Sequence, residues 1–107
     1  DDHGSNVASI VGSSNGTYTG MAPGVNIIAL KVFPDSGGGA SLADIEEAFQ
    51  WVVNNQATYN VIAVNMSIGG GNTQSFVTLG LSDEYAALAA MGVTVAVASG
   101  NSFFSFG

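Results

Sequence analysis

The sequence predicts an α/β fold in which helices pack against a parallel β-sheet. Three apolar segments rich in branched residues alternate with two helical patterns, and a shorter helical pattern precedes them. Because strands that are separated by helices join through right-handed crossovers, this order predicts parallel strands. The chain has 107 residues, 47% of them hydrophobic, which is enough for one domain with a core but too few for two.

The first third of the chain contains a short helix, a loop and the first predicted strand. Val7, Ile10 and Val11 are spaced as one face of a helix. Glycines, an Asn-Gly pair and a Pro-Gly pair interrupt residues 12–24, which predicts a loop. Residues 25–33, VNIIALKVF, are almost continuously apolar, as in a strand that is buried on both faces of a parallel sheet.

The strongest helix signal follows a glycine-rich loop. Ser41 and Asp44 form an S-x-x-D start signal, which predicts a helix that begins after Ser41 and ends near Asn54 and Asn55. The apolar residues at helical spacing behind this signal are Leu42, Ile45, Ala48, Phe49, Val52 and Val53. Residues 61–67, VIAVNMS, then predict a second buried strand.

The last third of the chain repeats the pattern of a helix followed by a strand. A helix is predicted over residues 82–91, with Asp83 and Glu84 near its positive N-terminal end and Gly92 at its stop. Residues 93–99, VTVAVAS, predict the third buried strand. This strand is the third of the predicted parallel sheet.

Composition and charge exclude several classes of function. The formal net charge is −7 and the only Lys or Arg residue is Lys31, so the chain is poorly suited to bind nucleic acid. No apolar run approaches the length of a membrane span. Cysteine is absent and His3 is the single histidine, which excludes disulfides and the usual ligand set of a metal hydrolase. We therefore expect neither a metal nor another cofactor.

The carboxyl ends of the second and third strands are the expected place for a binding site, because ligands of open parallel sheets bind there. Glycines at these ends let a ligand approach the backbone, and an asparagine offers an amide donor. The residues expected to gather at this edge are Ser67, Ile68, Gly69, Gly70, Ser99, Gly100 and Asn101.

Five blocks in a fixed order resemble consecutive central segments of the subtilisin-like serine peptidases, the subtilases. The blocks are HGSNVASIVG, GMAPGVNIIALKVF, DIEEAFQWVV, VIAVNMSIGG and GVTVAVASGN. The resemblance implies a three-layer α/β sandwich with helices on both faces of a parallel sheet. Residues 1–107 would be the central part of the catalytic domain, and the segments with the family's catalytic aspartate and serine are absent from them.

The resemblance also implies roles for individual residues of a serine endopeptidase. His3 matches the catalytic histidine, and Asn101 matches the asparagine of the oxyanion hole. Two walls of the substrate site are matched by Ser67, Ile68 and Gly69 and by Ala98, Ser99 and Gly100. Gly37, Gly38 and Gly39 match the edge that pairs with an extended polypeptide substrate.

From the resemblance we also predict the activity of the isolated chain, its calcium binding and the location of the complete protein. Without the serine nucleophile and the aspartate, we expect the isolated chain to be inactive. Some subtilases bind calcium in the loop after the first helix, but residues 13–20 carry no carboxylate, so these residues do not support such a site. Calcium binding by the complete protein stays open. The complete protein is expected to be secreted or extracellular, although these residues contain no signal peptide.

The sequence alone leaves two other functions open, and it also predicts self-association of the chain. A non-catalytic subtilase relative that binds extended peptides would share every block. A nucleotide-binding module is suggested by SGGGASLAD, which however lacks the third glycine of G-x-G-x-x-G and the GK[ST] of a P-loop. The buried strands and the phenylalanine-rich residues 103–106 predict missing neighbours, so we expect self-association through exposed apolar surface.

Overall fold

The computed structural model of the protein describes residues 2–69 and 80–101. The chain forms two compact units, Asp1–Leu30 and Lys31–Gly107. The helices and strands of the described residues are α1 (His3–Gly12), α2 (Leu42–Tyr59), β1 (Ala63–Met66), α3 (Ser82–Ala90) and β2 (Thr94–Val97). Gly70 and the phenylalanine-rich residues 103–106 lie outside the described residues.

The first unit contains α1, where a helix was predicted, and a loop that folds back onto the end of the helix. The Met21 N–H donates to the Ile10 carbonyl at 2.9 Å, and the Ala22 N–H donates to the Val11 carbonyl at 2.8 Å. A side chain at Gly20 would place its Cβ 2.5 Å from the Ser13 nitrogen, so this close return requires glycine. These hydrogen bonds therefore hold the loop against the carboxyl end of α1.

The predicted first strand, residues 25–33, is wrong in the described structure. Within the described ranges, β1 and β2 are the two strands of the sheet, and residues 25–33 belong to neither of them. The reason is that a strand needs a hydrogen-bonded neighbour, which an apolar sequence pattern does not supply. The large apolar side chains of residues 25–33 are exposed instead of being buried on both faces. These side chains are Val25, Ile27, Ile28, Leu30 and Phe33.

In the second unit, α2 begins where the sequence predicts and ends later. The Ser41 hydroxyl accepts a hydrogen bond from the Asp44 N–H at 3.0 Å, which confirms the predicted cap. The helix continues through Asn55, whose side-chain amide donates to the Trp51 carbonyl at 2.8 Å. It stops at Asn60, which has a left-handed φ of 52°. The predicted end near Asn54 and Asn55 is therefore wrong.

The sheet is parallel, as predicted. β1 pairs with β2 in the register Ala63↔Thr94 to Met66↔Val97, and α3 forms part of the connection between them. The sequence predicts that these strands are buried on both faces, and this prediction is wrong in the described structure. Val64 and Val95 are half-buried against the core, whereas Ala63 and Asn65 are exposed. The core side chains meet one face of the strands and leave the other open.

The core of the second unit joins α2, α3 and the strands. Its buried apolar residues are Ile45, Phe49, Val52, Met66, Leu81, Leu88 and Val93. The Phe49 and Tyr85 rings add an edge-to-face contact between α2 and α3, with centroids 5.4 Å apart. α3 ends at Ala90, one residue before the predicted end, and Gly92 follows with a φ of 74°. None of the described helices has the length and apolar character needed to cross a bilayer.

Candidate functional site

The carboxyl ends of β1 and β2 form one edge, which we call the strand-end edge and define as residues 67–69 and 98–101. The ladder closes with the pair Met66↔Val97. One further hydrogen bond runs from the Ala98 N–H to the Met66 carbonyl at 3.1 Å. Ser67 and Ala98 therefore leave the sheet beside each other. The structure brings together the two segments that the sequence predicts as opposite walls of a binding site.

Side chains and backbone at the strand-end edge are held in place locally. The Asn65 side-chain amide donates to the Ser67 hydroxyl at 2.8 Å, which fixes the first residue of the edge. Ile68 is half-buried and packs against the core, while Gly69 is exposed. Gly100 has a φ of 93°, a left-handed backbone that turns the chain just before Asn101. The turn is followed by an exposed asparagine amide that is available as a donor.

His3 is the first residue of α1 and is exposed. Asp2 precedes it at the N-cap position, and the Asp2 carbonyl accepts a hydrogen bond from the Asn6 N–H at 2.9 Å. His3 belongs to the first unit, whereas the other predicted site residues belong to the second. The predicted site residues therefore fall in both units, with His3 at a helix start in the first unit and the strand-end edge in the second.

The glycine loop at residues 37–39 has an open backbone. The Gly37 N–H donates to the Pro34 carbonyl at 3.2 Å, which closes a turn. Gly37 and Gly38 have φ values of 83° and 102°, where a side chain would be strained. Among the described residues, and apart from the adjoining ones, no heavy atom lies within 4 Å of the position where a Cβ would stand on Gly37, Gly38 or Gly39. The Cβ positions of this loop are therefore open, and pairing with an extended polypeptide stays a prediction.

The loop after α1 does not fit a calcium ion. Asn15 offers the side-chain oxygen Oδ1, but this atom already accepts from the Thr17 and Tyr18 N–H groups at 2.8 and 3.0 Å. Residues 13–20 contain no carboxylate, and calcium takes six to eight oxygen ligands. Across residues 2–69 and 80–101, no group of three or more His, Cys, Asp or Glu side chains could hold a metal ion.

A groove between α2 and α3 was not anticipated from the sequence. It has a volume of about 340 Å³ and is lined by Gln50, Val53, Asn54, Asp83, Glu84 and Ala87. Glu84 is buried, although the sequence suggested only a carboxylate near a helix start. Spacing could have revealed its burial, because Glu84 lies three residues after the N-cap residue Leu81 and four before Leu88, which is the spacing of one helix face.

The α/β fold, the parallel strand-end edge and the comparisons with known proteins define the class of protein. The chain belongs to the Subtilase family, whose sequence profile matches residues 1–105. It is 40% identical over 77 residues to an alkaline proteinase of Hapsidospora chrysogena, covering 69% of this chain and 18% of that protein. It is 32% identical over 102 residues to subtilisin DY of Bacillus licheniformis, covering 94% of this chain and 34% of that protein.

A third relative is the extracellular serine proteinase of a Thermus strain, which is 37% identical over 99 residues. That alignment covers 92% of this chain and 22% of the Thermus protein. The chain thus spans about a fifth of the length of several curated relatives that it matches. No solved structure matches the chain.

Proposed function

We propose that residues 1–107 are the central part of the catalytic domain of a serine-type endopeptidase. The complete protein would hydrolyse peptide bonds with an Asp/His/Ser triad whose aspartate and serine lie outside these residues. Membership of the Subtilase family and the protease names of the relatives support this class of activity. The structural observation that carries the proposal is the parallel register of β1 and β2, which brings residues 67–69 and 98–101 to one edge.

His3 would act as the general base of the reaction. A neutral imidazole takes the proton from the serine hydroxyl as it attacks the peptide carbonyl, and returns it to the leaving amine. Its place on the first turn of α1 suits this role, because the loop that returns to Ile10 and Val11 anchors the other end of the helix. The imidazole would thus project from a supported helix start.

Asn101 would donate its side-chain N–H to the oxygen that gains negative charge in the tetrahedral intermediate. The left-handed turn at Gly100 directs the chain into Asn101 just after the sheet ends. An asparagine in this position contributes mainly to the transition state, because the oxygen is less charged in the bound substrate. Its loss should therefore lower kcat more than it raises KM.

The substrate would be a polypeptide in an extended conformation. Its side chain would lie between the wall at residues 67–69 and the wall at residues 98–100. Its backbone would pair with the open glycine loop at residues 37–39, where bare backbone groups can accept an added strand. We propose that the complete protein acts outside the cell, because the Thermus relative is named as an extracellular serine proteinase.

The isolated chain is proposed to be inactive. In the test, the purified 107-residue chain is incubated with casein and, separately, with a fluorophosphonate that labels activated serines. We expect neither turnover nor labelling, because the residues that would activate a serine are incomplete. Casein hydrolysis that the fluorophosphonate blocks would contradict both the inactivity and the assignment of the nucleophile to another part of the protein.

The role of His3 is tested in the complete protein. We expect His3→Ala to lower kcat by several orders of magnitude, a size of effect known from subtilisin itself. Asn6→Ala is the matched control, because Asn6 is exposed on the same helix and should leave kcat nearly unchanged. If the complete protein binds extended peptides but neither variant nor wild type cleaves them, the non-catalytic alternative is correct.

We also propose that the isolated chain self-associates through the exposed apolar side chains of residues 25–33. Sedimentation velocity should show a mass that increases with protein concentration. Ile28→Lys should reduce this association, because it places a charge in the apolar segment. A single monomeric species at all concentrations would contradict the proposal.

A further inference from the structure

The tip of the loop after α1 contains Asn15 and Gly16, the only Asn-Gly pair of the sequence. Both residues are exposed, and an antiparallel bridge between Ser14 and Thr19 closes the tip. The Thr19 hydroxyl donates a further hydrogen bond to the Asn15 carbonyl at 2.8 Å. Asparagine, a chemically labile residue, is therefore held here in a closed turn that faces solvent.

Two backbone donors hold the side-chain oxygen of Asn15. The Thr17 and Tyr18 N–H groups donate to its Oδ1 at 2.8 and 3.0 Å. Donors that are fixed around an oxygen stabilise negative charge as it develops there. Negative charge develops on Oδ1 whenever a nucleophile attacks the side-chain carbon Cγ. The turn therefore favours attack on Cγ of Asn15.

The nearest nucleophile along the chain is the backbone nitrogen of Gly16. Its N–H donates no hydrogen bond within residues 2–69 and 80–101, so no acceptor there holds it in place. Among these residues, and apart from the adjoining ones, no heavy atom lies within 4 Å of the Cβ position of Gly16. Glycine also has no side chain that would hinder the approach of its nitrogen to Cγ.

We propose that Asn15 is a site of spontaneous deamidation. The Gly16 nitrogen loses its proton to solvent and attacks Cγ, which forms the new N–Cγ bond. The Cγ–Nδ2 bond then breaks, and Nδ2 takes up a proton and leaves as ammonia, so that a succinimide ring remains. Water adds to one of the two ring carbonyls and opens the ring to aspartate or isoaspartate. Water is the only co-reactant, and the site does not depend on the proposed peptidase residues.

Asn26 is the most informative comparison with Asn15. It is exposed and lies outside the helices and strands, as Asn15 does. Its side chain makes no hydrogen bond with the described part of the chain, so Oδ1 lacks the two donors. The residue that follows is Ile27, whose branched side chain hinders attack by its own nitrogen. We therefore expect Asn26 to be stable under conditions that convert Asn15.

Conversion of Asn15 would alter the loop that is held against the carboxyl end of α1. Residues 13–20 contain no carboxylate, so either product adds the first negative charge to this loop. Isoaspartate also routes the backbone through the former side chain, which lengthens the turn between Ser14 and Thr19. The bonds from the Met21 and Ala22 N–H groups to α1 follow directly after this turn. We therefore expect the converted chain to have a lower melting temperature.

The experiment is an incubation of the purified 107-residue chain at mildly alkaline pH, with and without urea. Trypsin cuts after Lys31, the only Lys or Arg residue, so one peptide carries Asn6, Asn15 and Asn26. Mass spectrometry follows conversion at each asparagine, and isoaspartate methyltransferase labels one of the two products. Without urea, we expect Asn15 to convert at least as fast as in urea and to yield isoaspartate, while Asn6 and Asn26 stay unconverted.

Gly16→Ala tests the attacking nitrogen. It should slow the conversion of Asn15 by about tenfold, because a Cβ restricts the backbone conformations that bring the nitrogen to Cγ. Gly16 does not have a left-handed φ, and its Cβ position is open, so the loop can accept alanine.

Ile27→Gly is the matched control for the loop, because it creates a second Asn-Gly pair at Asn26 without the two donors. Without urea, Asn26 of this variant should convert more slowly than Asn15. In urea, where the turn is lost, the two asparagines should convert at equal rates.

Three results would overturn the proposal. The first is conversion of Asn15 in urea but not in its absence, and the second is an unchanged rate in Gly16→Ala. The third is conversion of Asn26 in Ile27→Gly that is as fast as that of Asn15 without urea, which would show that the Asn-Gly pair alone sets the rate. If Ile27→Gly has lost its helical circular dichroism signal, the comparison of wild type with and without urea decides.

Discussion

Leu88 is the residue through which the packing of α3 can be tested most cleanly. Its side chain is 0% exposed, and it belongs to the core that joins α2, α3 and the strands. Because α3 lies between β1 and β2 in the chain, its packing helps to set the parallel pairing that forms the strand-end edge. Leu88→Ala removes most of this side chain and leaves a cavity.

The expected cost follows from this complete burial. Replacing a fully buried leucine by alanine lowers the free energy of unfolding by about 3 kcal/mol, which is within the range for such cavities. With a urea m value of about 1.5 kcal/mol/M, the midpoint of unfolding should fall by about 2 M. Leu42→Ala is the matched control, because Leu42 is 56% exposed on α2. It should change the free energy by less than about 0.5 kcal/mol.

The assay is urea unfolding followed by circular dichroism at 222 nm for wild type and both variants. A Leu88→Ala chain that has lost its helical signal before urea is added agrees with the expected cost, provided that Leu42→Ala remains folded. Equal midpoints for the two variants would refute the placement of Leu88 in the core. The packing of α3 against α2 and β2 would then need to be described differently.

The remaining predictions concern a cap, a close backbone approach and a titrating carboxyl group. Ser41→Ala should lower the free energy of unfolding by about 1 kcal/mol in the same assay, because the Asp44 N–H loses its acceptor, and an unchanged midpoint would argue against the cap. Gly20→Ala should destabilise the chain by about 1–3 kcal/mol, because its Cβ would contact the Ser13 nitrogen. Gly16→Ala is the control and should not destabilise the chain, because no described atom outside the adjoining residues lies near its Cβ position. Equal melting temperatures of the two variants would contradict the close backbone contact at Gly20. The pKa of Asp83 is lowered on folding, so its contribution to stability is present above the ordinary aspartate pKa of about 3.9 and is lost as the pH falls through the lower folded value. Acid titrations should therefore show a smaller loss of stability for Asp83→Asn than for wild type, and identical acid profiles would be evidence against the shift.

Local signals made α2 the most predictable element. The S-x-x-D pattern predicts the Ser41 cap, and the hydrogen bond from the Asp44 N–H to the Ser41 hydroxyl confirms it. The end of α2 was harder, because an asparagine pair is typical of a helix end. Asn55 instead bonds back to the Trp51 carbonyl, and the left-handed residue that stops the helix is Asn60. Stop signals of this kind depend on which asparagine adopts the left-handed backbone.

The strands show why an apolar run is a weaker predictor than a cap. Residues 61–67 and 93–99 contain β1 and β2 because they pair with each other. Residues 25–33 are just as apolar but form no strand in the described structure, since pairing depends on a neighbour that the pattern does not identify. The prediction that the strands are buried on both faces fails for the same reason, because burial depends on what covers each face of the sheet.

The candidate site was predictable in parts. The strand-end edge follows from the rule that parallel strands end together, and the register from Met66↔Val97 confirms that residues 67–69 and 98–101 share it. The roles of His3 and Asn101 follow from the resemblance to subtilases and remain proposals. The burial of Glu84 was missed, although its helical spacing with Leu81 and Leu88 carried a signal for it.

The central claim is that the strand-end edge presents Asn101 to the oxyanion of a peptidase reaction. The most direct test is steady-state hydrolysis of a peptide substrate by the complete protein, with wild type compared with Asn101→Ala. We adopt the loss known from subtilisin itself, a fall in kcat of about 10²–10³-fold, and expect KM to change only slightly. An unchanged kcat, or a loss confined to KM, would contradict the claim that Asn101 stabilises the transition state.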